Sequence, residues 1–580
     1  MVTIEVERTT GTRTIAALWR RAQDRTGTAY LVETDGEWRE ISWDEARTAV
    51  DELANGLLAL GIGKGDAVGI LARTTVEWVQ FDFALGSIGA IGAGIYPSLP
   101  PKDCAYVLDH SDAVGILVED AEQRAKIEAE RANLPKLRHV LTFDALADLR
   151  AKGRDYAAAN PDALDQAREA IAESDLFTYI YTSGTTGPPK ACRITNRNYY
   201  EMVSAVDDVP EFIGPDDVIL LYLPLAHNFG RCLHLLSAYV GCTIAFCPDP
   251  QRVAEVAAQV RPTVMPSVPR VFEKVHTAVQ ASFDEATGVK RRLIDWALRV
   301  GREVSELKQQ GKPVPALLGF QHRLADRLVY SKVKERLGGR LRLPISGGAP
   351  LAKEIAEFFH SIDILIIEGY GQTECTTASN VNMPTSFRFG TVGPAIPGIE
   401  VRAASEGEIL IRGPNVFAGY YKDEAATREV VDDEGWLHTG DIGHIDDGFL
   451  TITDRKKDII VTAGGKNVAP QNIENELKAS KYVSQALVIG DRRPYLTALI
   501  TLDEAAKGLS DPRSLIQEVV DEVNADKASF EQVKRFAILD RDFSPDHDEV
   551  TPTLKLKRKV VCGHFADEIE SLYASASPPR

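Results

Sequence analysis

The sequence has no excess of positive charge, no paired cysteine motif and no long uninterrupted apolar run. Its 580 residues include 66 Lys and Arg against 84 Asp and Glu, which gives a net charge of −18. A protein that coats nucleic acid needs a concentrated basic face, so this balance argues against a nucleic-acid partner. It leaves room for local basic patches that bind the phosphates of a small ligand.

The cysteines are too scattered for a metal or disulfide framework. There are seven, an odd number, and no Cys-x-x-Cys pair occurs. Residues 1–14 also show no apolar signal region. We therefore expect a cytoplasmic protein with reduced thiols and no zinc site.

Two apolar stretches, residues 83–96 and 232–248, are short for a membrane span. A spanning helix needs about 20 residues, and the second stretch also contains polar residues such as His234 and Thr243. We expect both to be buried helix-plus-strand pieces, with no transmembrane segment. The sequence leaves open a peripheral membrane association and does not indicate the oligomeric state.

The remaining composition is that of a globular chain of more than one domain. Hydrophobic residues make up 44% and charged residues 26%, and the length exceeds what one ordinary core supports. In the first two thirds of the chain, short apolar strand patterns alternate with amphipathic helix patterns. This alternation predicts parallel sheets covered by helices. Among the individual elements, the pattern predicts strands at 243–246, 362–367 and 496–502, a helix at 470–479 and a charged helical segment at 126–171.

The pattern changes after Gly393, where alternating strands predict a small β subdomain at about 393–454. A dense charge run at residues 454–458 follows it. We predict a large α/β N-terminal domain at 1–454, a hinge at 455–458 and a smaller, mobile α+β domain at 459–580.

The most informative stretch is FTYIYTSGTTGPPK, residues 177–190. Aromatic and β-branched residues predict a buried strand, and Thr, Ser and Gly then leave a turn with free backbone N–H groups. Such groups form an anion-binding nest, and Lys190 adds positive charge, so a polyphosphate is the natural ligand. By itself such a turn is typical of an ordinary loop, and no Gly-Lys-Ser/Thr opens a helix here as in the usual NTPase loop.

Further motifs follow in order along the chain. They are LPLAH (223–227), SGGAP (346–350), EGYGQTE (368–374), TGD (439–441), DRKKD (454–458) and TPTLKLKR (551–558). Two glycine motifs come directly after predicted strands, as ligand loops do in open parallel sheets. With TSGTTGPPK, this order resembles the AMP-forming acyl- and aryl-CoA synthetase superfamily from end to end. RPTVMPSVPRVFEKV (261–275) and VTAGGKNVAPQNIE (461–474) narrow the resemblance to bacterial long-chain fatty acid–CoA ligases, including the actinobacterial type.

This resemblance implies a two-step reaction. A fatty acid carboxylate attacks the α-phosphorus of ATP to give an acyl adenylate and pyrophosphate, and the thiol of coenzyme A then displaces AMP. ATP, Mg²⁺ and coenzyme A are the implied small-molecule partners, with a medium to long acyl chain. Because the first step joins two anions, positioning and charge neutralisation should carry it.

The resemblance also assigns residues to the nucleotide. The β- and γ-phosphates would be held by Thr182, Ser183, Gly184, Thr185, Thr186, Gly187 and Lys190. Adenine would lie between Gly347, Gly348, Ala349 and the stacking ring of Tyr370, which Gly371 and Gln372 follow. Thr373 would contact the α-phosphate, Thr182 and Glu374 would lie near Mg²⁺, and Asp441 with Arg455 would bind the ribose hydroxyls.

Four further assignments concern the acyl group and the moving domain. His227 would stand near the acyl carboxylate, and Lys555 would bridge that carboxylate and the α-phosphate. Lys457 falls at the hinge. Gly464 and Gly465 would line the pantetheine path after domain rotation.

Each of these residues also has an ordinary interpretation. Asp441 alone is typical of a turn, His227 of a structural histidine, Glu374 of an acid at a helix start and Lys555 of a solvated basic face. The family's usual glycine before the lysine is replaced by Leu554, and the choice of Lys555 over Lys557 rests on aligning the motif. Their joint occurrence in order favours the functional interpretation.

The acyl chain needs an apolar tunnel behind His227, for which residues 229–240 and 264–272 are candidates; core packing explains the same residues. Two alternatives remain: an acyl-AMP ligase that loads a carrier protein, and a non-catalytic acyl- or nucleotide-binding scaffold. A conventional P-loop kinase is excluded because the loop is of the wrong kind.

Overall fold

The computed structural model describes residues 12–182, 188–209, 211–507, 509–551 and 556–574. Predictions for Ser183, Gly184, Thr185, Thr186, Gly187 and Lys555 lie outside these residues.

Within the described residues, two large sheets form the centre of the N-terminal domain. One has eight strands in the order β14-β13-β12-β11-β9-β10-β1-β2, and the other has six in the order β6-β5-β3-β4-β7-β8. Both are parallel except at the edges, where β2, β8 and β14 run antiparallel. The strands are Thr28–Thr34 (β1), Glu37–Ser42 (β2), Ala67–Leu71 (β3), Ile91–Ile95 (β4), Gly115–Val118 (β5), His139–Thr142 (β6), Leu176–Thr182 (β7), Lys190–Thr195 (β8), Val218–Leu221 (β9), Thr243–Phe246 (β10), Val264–Ser267 (β11), Leu343–Ser346 (β12), Ile367–Tyr370 (β13) and Asn380–Val381 (β14).

Helices cover these sheets and bury their apolar faces in a common core. Several start at side-chain caps; for example, Ser42 and Glu45 form a reciprocal capping box at the start of α2. The helices of this domain are Ile15–Arg21 (α1), Trp43–Ala59 (α2), Val76–Ser87 (α3), Pro101–His110 (α4), Ala121–Ala129 (α5), Leu146–Ala159 (α6), Ala163–Glu169 (α7), Asn196–Ser204 (α8), Asn228–Val240 (α9), Val253–Val260 (α10), Pro269–Asp284 (α11), Gly288–Gln309 (α12), Ala316–Ala325 (α13), Ser331–Arg336 (α14), Lys353–Ser361 (α15) and Glu424–Val430 (α16).

A four-stranded antiparallel sheet follows, and then a smaller α+β region. The sheet consists of Glu400–Ala403 (β15), Glu408–Arg412 (β16), Leu437–Asp446 (β17) and Phe449–Arg455 (β18). The C-terminal region contains Ile460–Val461 (β19), Asn467–Val468 (β20), Pro470–Ala479 (α17), Val483–Ile489 (β21), Leu496–Leu502 (β22), Pro512–Asn524 (α18), Val533–Leu539 (β23), Arg558–His564 (α19) and Ala566–Ala574 (α20).

The predicted fold class is confirmed: a large α/β domain with parallel sheets, a small β sheet and a smaller α+β region. The two apolar stretches are a helix end plus strand, α3–β4 and α9–β10, as expected. None of the helices in the described residues combines the length and apolarity needed to cross a membrane.

The strand β8, which follows the phosphate-loop motif and pairs back on β7, was not predicted. Two local predictions were wrong. The segment 126–171 is not wholly helical, because it contains β6, which pairs with β5. The strand predicted at 362–367 begins only at Ile367, so Glu368, Gly369 and Tyr370 lie within β13 and not beyond it.

Candidate functional site

A cleft of about 1770 Å³ is lined by both the N-terminal and the C-terminal regions. One wall consists of the loop after β12, strand β13 and the residues that follow it. The opposite side includes the end of β18 and helix α17. This is the carboxyl edge of the eight-stranded sheet, where the topology predicts a ligand site.

Asp441 is a buried carboxylate in the cleft that contacts two other predicted site residues. It is only 4% exposed, on β17. Its Oδ2 accepts a hydrogen bond of 2.6 Å from the hydroxyl of Tyr370, and its Oδ1 accepts one of 3.0 Å from Nε of Arg455. Burial and the nearby carboxylate raise the pKa of Tyr370 well above its ordinary value, so the phenol stays a donor. The structure therefore brings together three residues that the sequence assigned to adenine and ribose.

The turn after β13 is fixed by a close backbone approach at Gly371 and by hydrogen bonds from side-chain amides. A Cβ on Gly371 would lie 2.3 Å from the carbonyl oxygen of Thr377, so only glycine fits there. The side-chain amide of Gln372 donates to the backbone carbonyl of Thr439 over 3.4 Å, and the side-chain amide of Asn228 donates to the backbone carbonyl of Thr373 over 3.5 Å. Gly347, Gly348 and Ala349 line the same cleft from the loop after β12.

Glu374 lies next in the cleft. Its Oε1 accepts a hydrogen bond of 2.7 Å from the hydroxyl of Tyr420, a residue that the sequence analysis did not single out. The ammonium of Lys190 lies 5.0 Å from the centre of the Tyr420 ring and 3.7 Å from a carboxylate oxygen of Asp423. Thr182 is the cross-strand partner of Lys190. Thr182, Lys190 and Glu374 all line the cleft.

His227 caps the N-terminus of α9 and faces the cleft. Its Nδ1 accepts a hydrogen bond of 3.3 Å from the backbone N–H of Phe229. In the neutral ring this acceptor role places the proton on Nε2.

Beyond His227 the lining of the cleft becomes apolar. The candidate segment 229–240 contributes Phe229, Cys232, Leu233 and Leu236, whereas the candidate segment 264–272 contributes no lining residue among those described. The rest of this apolar lining was missed: Met202, Ala205, Val206, Val209, Phe212 and Ile213. The amphipathic pattern of α8 was visible, but its apolar face could equally belong to the core.

A polar residue that was also missed is Glu368, on β13 opposite Ser346 of β12. It is 6% exposed, and its Oε2 accepts one hydrogen bond, 3.3 Å from the backbone N–H of Leu351. Within the described residues its Oε1 has no partner, and neither does the hydroxyl of Ser346. Burial raises the pKa of Glu368 to about 8, so the carboxyl group is largely neutral at pH 7. A glutamate directly after an apolar strand pattern, at the first position of a glycine motif, was the available signal in the sequence.

The C-terminal region closes the cleft in this orientation. Thr551, Leu556 and Lys557, which flank the undescribed residues 552–555, line it, and Lys557 forms an ion pair with Asp548. Lys457 also lines the cleft, and burial, with a further contribution from Arg455, lowers its pKa.

Gly464 and Gly465 occupy the turn between β19 and β20 and are not among the described residues that line the cleft. Their predicted role concerns a different domain orientation and stays a prediction.

Comparison with known proteins agrees with this architecture. The AMP-binding enzyme family matches residues 18–421, and the AMP-binding enzyme C-terminal domain matches residues 457–577.

Similar proteins are known from bacteria and animals. Long-chain-fatty-acid–CoA ligase FadD15 of Mycobacterium bovis is 38% identical over 565 residues, which cover 93% of each chain. Long-chain-fatty-acid–CoA ligase ACSBG2 of Xenopus laevis is 32% identical over 606 residues, covering 94% of this chain and 81% of that protein.

Among solved structures, the adenylation domain of a carboxylate reductase from Mycobacterium chelonae superimposes with a TM-score of 0.76 at 22% identity, covering 98% of this chain and 92% of that one. This likeness shows the fold. Because the family matches most of the sequence and the relatives span nearly all of it, the chain belongs to the AMP-binding enzymes.

Proposed function

We propose that this protein converts a fatty acid to its coenzyme A thioester at the expense of ATP. A carboxylate oxygen of the acid attacks the α-phosphorus, the bond to the β-phosphate oxygen breaks, and pyrophosphate leaves. The sulfur of coenzyme A then attacks the acyl carbon of the adenylate, giving the thioester and AMP. The family, the named activities of two relatives and the polarity of the cleft support this proposal.

The observation that carries it is the arrangement around Asp441. A buried carboxylate that is oriented by a phenol and a guanidinium is a well-placed acceptor for the two hydroxyls of a ribose. The ring of Tyr370 and the backbone of residues 347–349 then form the two sides of a slot for adenine. Hydrogen bonds to a charged group contribute about 1.5–3 kcal/mol each, so this site would supply much of the nucleotide affinity.

The phosphates would extend from this slot toward Thr182, Lys190 and Glu374. The hydroxyl and carboxylate oxygens of Thr182 and Glu374 suit Mg²⁺, which prefers oxygen ligands. When bound, Mg²⁺ would neutralise phosphate charge. Lys190 is positioned to add a second positive charge, since its ion pair with Asp423 is long and exposed.

We assign the acyl group to the opposite, apolar end of the cleft. His227 lies at the junction, and the proton on its Nε2 can hydrogen-bond a carboxylate that is about to react. Apolar side chains of α8, α9 and the segment after α8 supply a lining for a hydrocarbon chain. This supports a medium to long acid over acetate.

We further propose that Glu368 binds the edge of the purine. Its neutral carboxyl group offers one donor and one acceptor, and it lies on the strand that carries Tyr370, next to the strand that leads into residues 347–349. Adenine presents an amino donor and ring-nitrogen acceptors, which complement such a group.

Adenylation and thioester formation can be measured separately. We expect ATP–pyrophosphate exchange and acyl-CoA formation with acids from about octanoate to stearate, and little with acetate. Lys555→Ala should abolish exchange, whereas Lys557→Ala, which removes a lysine already paired with Asp548, should retain most of it.

The other outcomes identify the alternatives. Exchange without acyl-CoA, but with acyl transfer to a carrier protein, would indicate an acyl-AMP ligase. No exchange with any acid would indicate a binding scaffold. Activity confined to short or aromatic acids would overturn the fatty acid assignment.

A further inference from the structure

The helical insert formed by α12, α13 and α14 carries an unusual outer surface. The inner face of α13 packs through Leu318, His322 and Ala325, which are buried. Its outer face, continued by the single π-helical turn Asp326–Tyr330, exposes large apolar side chains. We call these the apolar stripe: Leu317 (71% exposed), Phe320 (59%), Leu324 (41%) and Leu328 (38%). Single exposed leucines are common, but four in one row on one helix are not explained by folding.

The charge of this insert is opposite to that of the whole chain. Residues 288–336 contain twelve Lys or Arg and five Asp or Glu, in a chain of net charge −18. Two of the five acids form ion pairs within the insert, Asp326 with Lys334 and Asp295 with Arg291. Two acids outside the insert, Asp284 and Asp363, also pair with cations of it, which still leaves most of its positive charge uncompensated. The insert therefore presents net positive charge to solvent.

Two of the arginines lie beside the apolar stripe. Arg323 and Arg327 alternate with Leu324 and Leu328 along the helix and are exposed. Among the residues that the structure describes, neither guanidinium forms an ion pair with a carboxylate. Apolar side chains flanked by unpaired cations on one helix face are the features of a helix that lies in the interface of an anionic bilayer.

We infer that the apolar stripe, with Arg323 and Arg327, docks this protein on the surface of a membrane that contains anionic phospholipids. The stripe would enter the boundary between headgroups and acyl chains, and the arginines would bind lipid phosphates. A second copy of the chain is a poor occupant, because two such inserts would bring like charges together. The inference does not depend on the catalytic proposal.

Cosedimentation with lipid vesicles tests this surface. The full-length protein is mixed with vesicles of phosphatidylcholine alone or of phosphatidylcholine with about 30 mol% phosphatidylglycerol. The anionic lipid gives the second kind of vesicle a negative surface potential. We expect binding to the anionic vesicles that weakens with salt, and little binding to the neutral ones. The combined variant Leu317→Gln, Phe320→Gln and Leu324→Gln should reduce the partition coefficient at least tenfold. Arg323→Gln with Arg327→Gln should reduce it roughly tenfold or more.

The matched control changes two apolar side chains of similar exposure in the C-terminal region, Leu509→Gln and Phe530→Gln, and should bind like the wild type. Unchanged thermal unfolding of the stripe variant would show that the fold is intact. Equal binding of the wild type and the stripe variant, or no binding to anionic vesicles, would overturn the inference. So would a dimer in sedimentation velocity that the stripe variant abolishes, because the stripe would then be a contact between copies.

Discussion

The hydroxyl of Tyr420 donates a hydrogen bond of 2.7 Å to Oε1 of Glu374. Burial and the neighbouring Glu374 raise the pKa of Tyr420 far above its ordinary value, so it remains a donor throughout the physiological range. The same ring lies under the ammonium of Lys190, 5.0 Å from its centre. Tyr420 is thus a positioning residue for both groups that we assign to the phosphates and Mg²⁺.

Replacing Tyr420 by Phe should keep the ring and remove the hydrogen bond. Glu374 would lose its fixed orientation, at a cost of about 1–2 kcal/mol, so we expect the Mg²⁺ concentration for half-maximal exchange to rise roughly 5- to 30-fold. The KM for the acid should change little. Tyr421→Phe is the control, since that hydroxyl bonds to Asp112. A uniform loss of kcat with no change in Mg²⁺ dependence would contradict the positioning role.

Asp441→Asn should weaken ATP binding selectively. The amide keeps the shape but removes the negative charge that faces Arg455 and the ribose, so we expect KM for ATP to rise roughly 10- to 100-fold. Measuring exchange with 2′-deoxy-ATP on both proteins isolates the contact, because the variant should discriminate less between the two nucleotides. Equal discrimination would place the ribose elsewhere.

Glu368 predicts a pH dependence of stability. Its pKa is raised from 4.5 to about 8 in the folded protein. Between these values the folded protein holds a proton that the unfolded chain releases, so this group lowers stability as pH rises from 4.5 to 8, by up to about 1.4 kcal/mol per pH unit. Above pH 8 its contribution is constant.

Glu368→Gln mimics the neutral carboxyl group and should remove this dependence. The difference in melting temperature, variant minus wild type, should therefore grow as the pH is raised from 5.5 to 8, because only the wild type loses stability through this group. Glu429→Gln, which changes an exposed glutamate on α16, should show no such trend. A constant difference between Glu368→Gln and the wild type would indicate that Glu368 is not neutral in the fold.

The sequence predicted the large-scale architecture because the period of the apolar residues was informative. Strands such as β10 and β22 and helix α17 appear at the bounds that the pattern indicated. The predictions missed elements whose formation depends on pairing with another strand more than on their own residue pattern. β6 has an intermediate exposure on all four residues and forms because β5 offers an edge. β8 contains Cys192 and Arg193, and pairing with β7 stabilises it more than its own propensity does.

In the candidate site too, some residues were singled out from the sequence and others were missed. Motif order singled out Tyr370, Asp441 and Arg455, and the structure places them in contact although 71 residues separate the first two. Tyr420 and Glu368 were missed because their importance depends on what they face: a carboxylate in one case, and an unpartnered buried oxygen in the other. The partners of a polar side chain are set by the fold and leave no periodic pattern in the sequence.

The N-terminal and C-terminal regions are joined by a polar contact that can be altered. Arg270 of α11 donates to the backbone oxygen and the hydroxyl of Ser484 over 2.8 and 2.6 Å. In this orientation the residues that flank 552–555 line the cleft, which suits adenylation. Arg270→Ala should lower ATP–pyrophosphate exchange about 3- to 10-fold, while conversion of added acyl adenylate to acyl-CoA should be preserved. Lys274→Ala, on the same helix and exposed, is the control. Equal loss of both steps would indicate general destabilisation.

Lys457 provides the most direct test of the proposed hinge. It lies between Arg455, which ends β18 and contacts Asp441, and the C-terminal region. Rotation at this point requires changes in backbone dihedral angles. Proline fixes φ near −65° and restricts the residue before it, so Lys457→Pro should favour one orientation of the C-terminal region. We therefore expect one of the two half-reactions to fall at least tenfold while the other stays within about threefold of the wild type.

Lys457→Ala separates the backbone from the side chain. It removes the ammonium but leaves the backbone as free as in the wild type, so any loss of activity should fall on both half-reactions together. Single-turnover measurements of acyl adenylate formation, and of thioester formation from added acyl adenylate, give the two rates independently. If Lys457→Pro and Lys457→Ala show the same ratio of these rates, the selective effect does not come from the backbone and the hinge lies elsewhere in the chain.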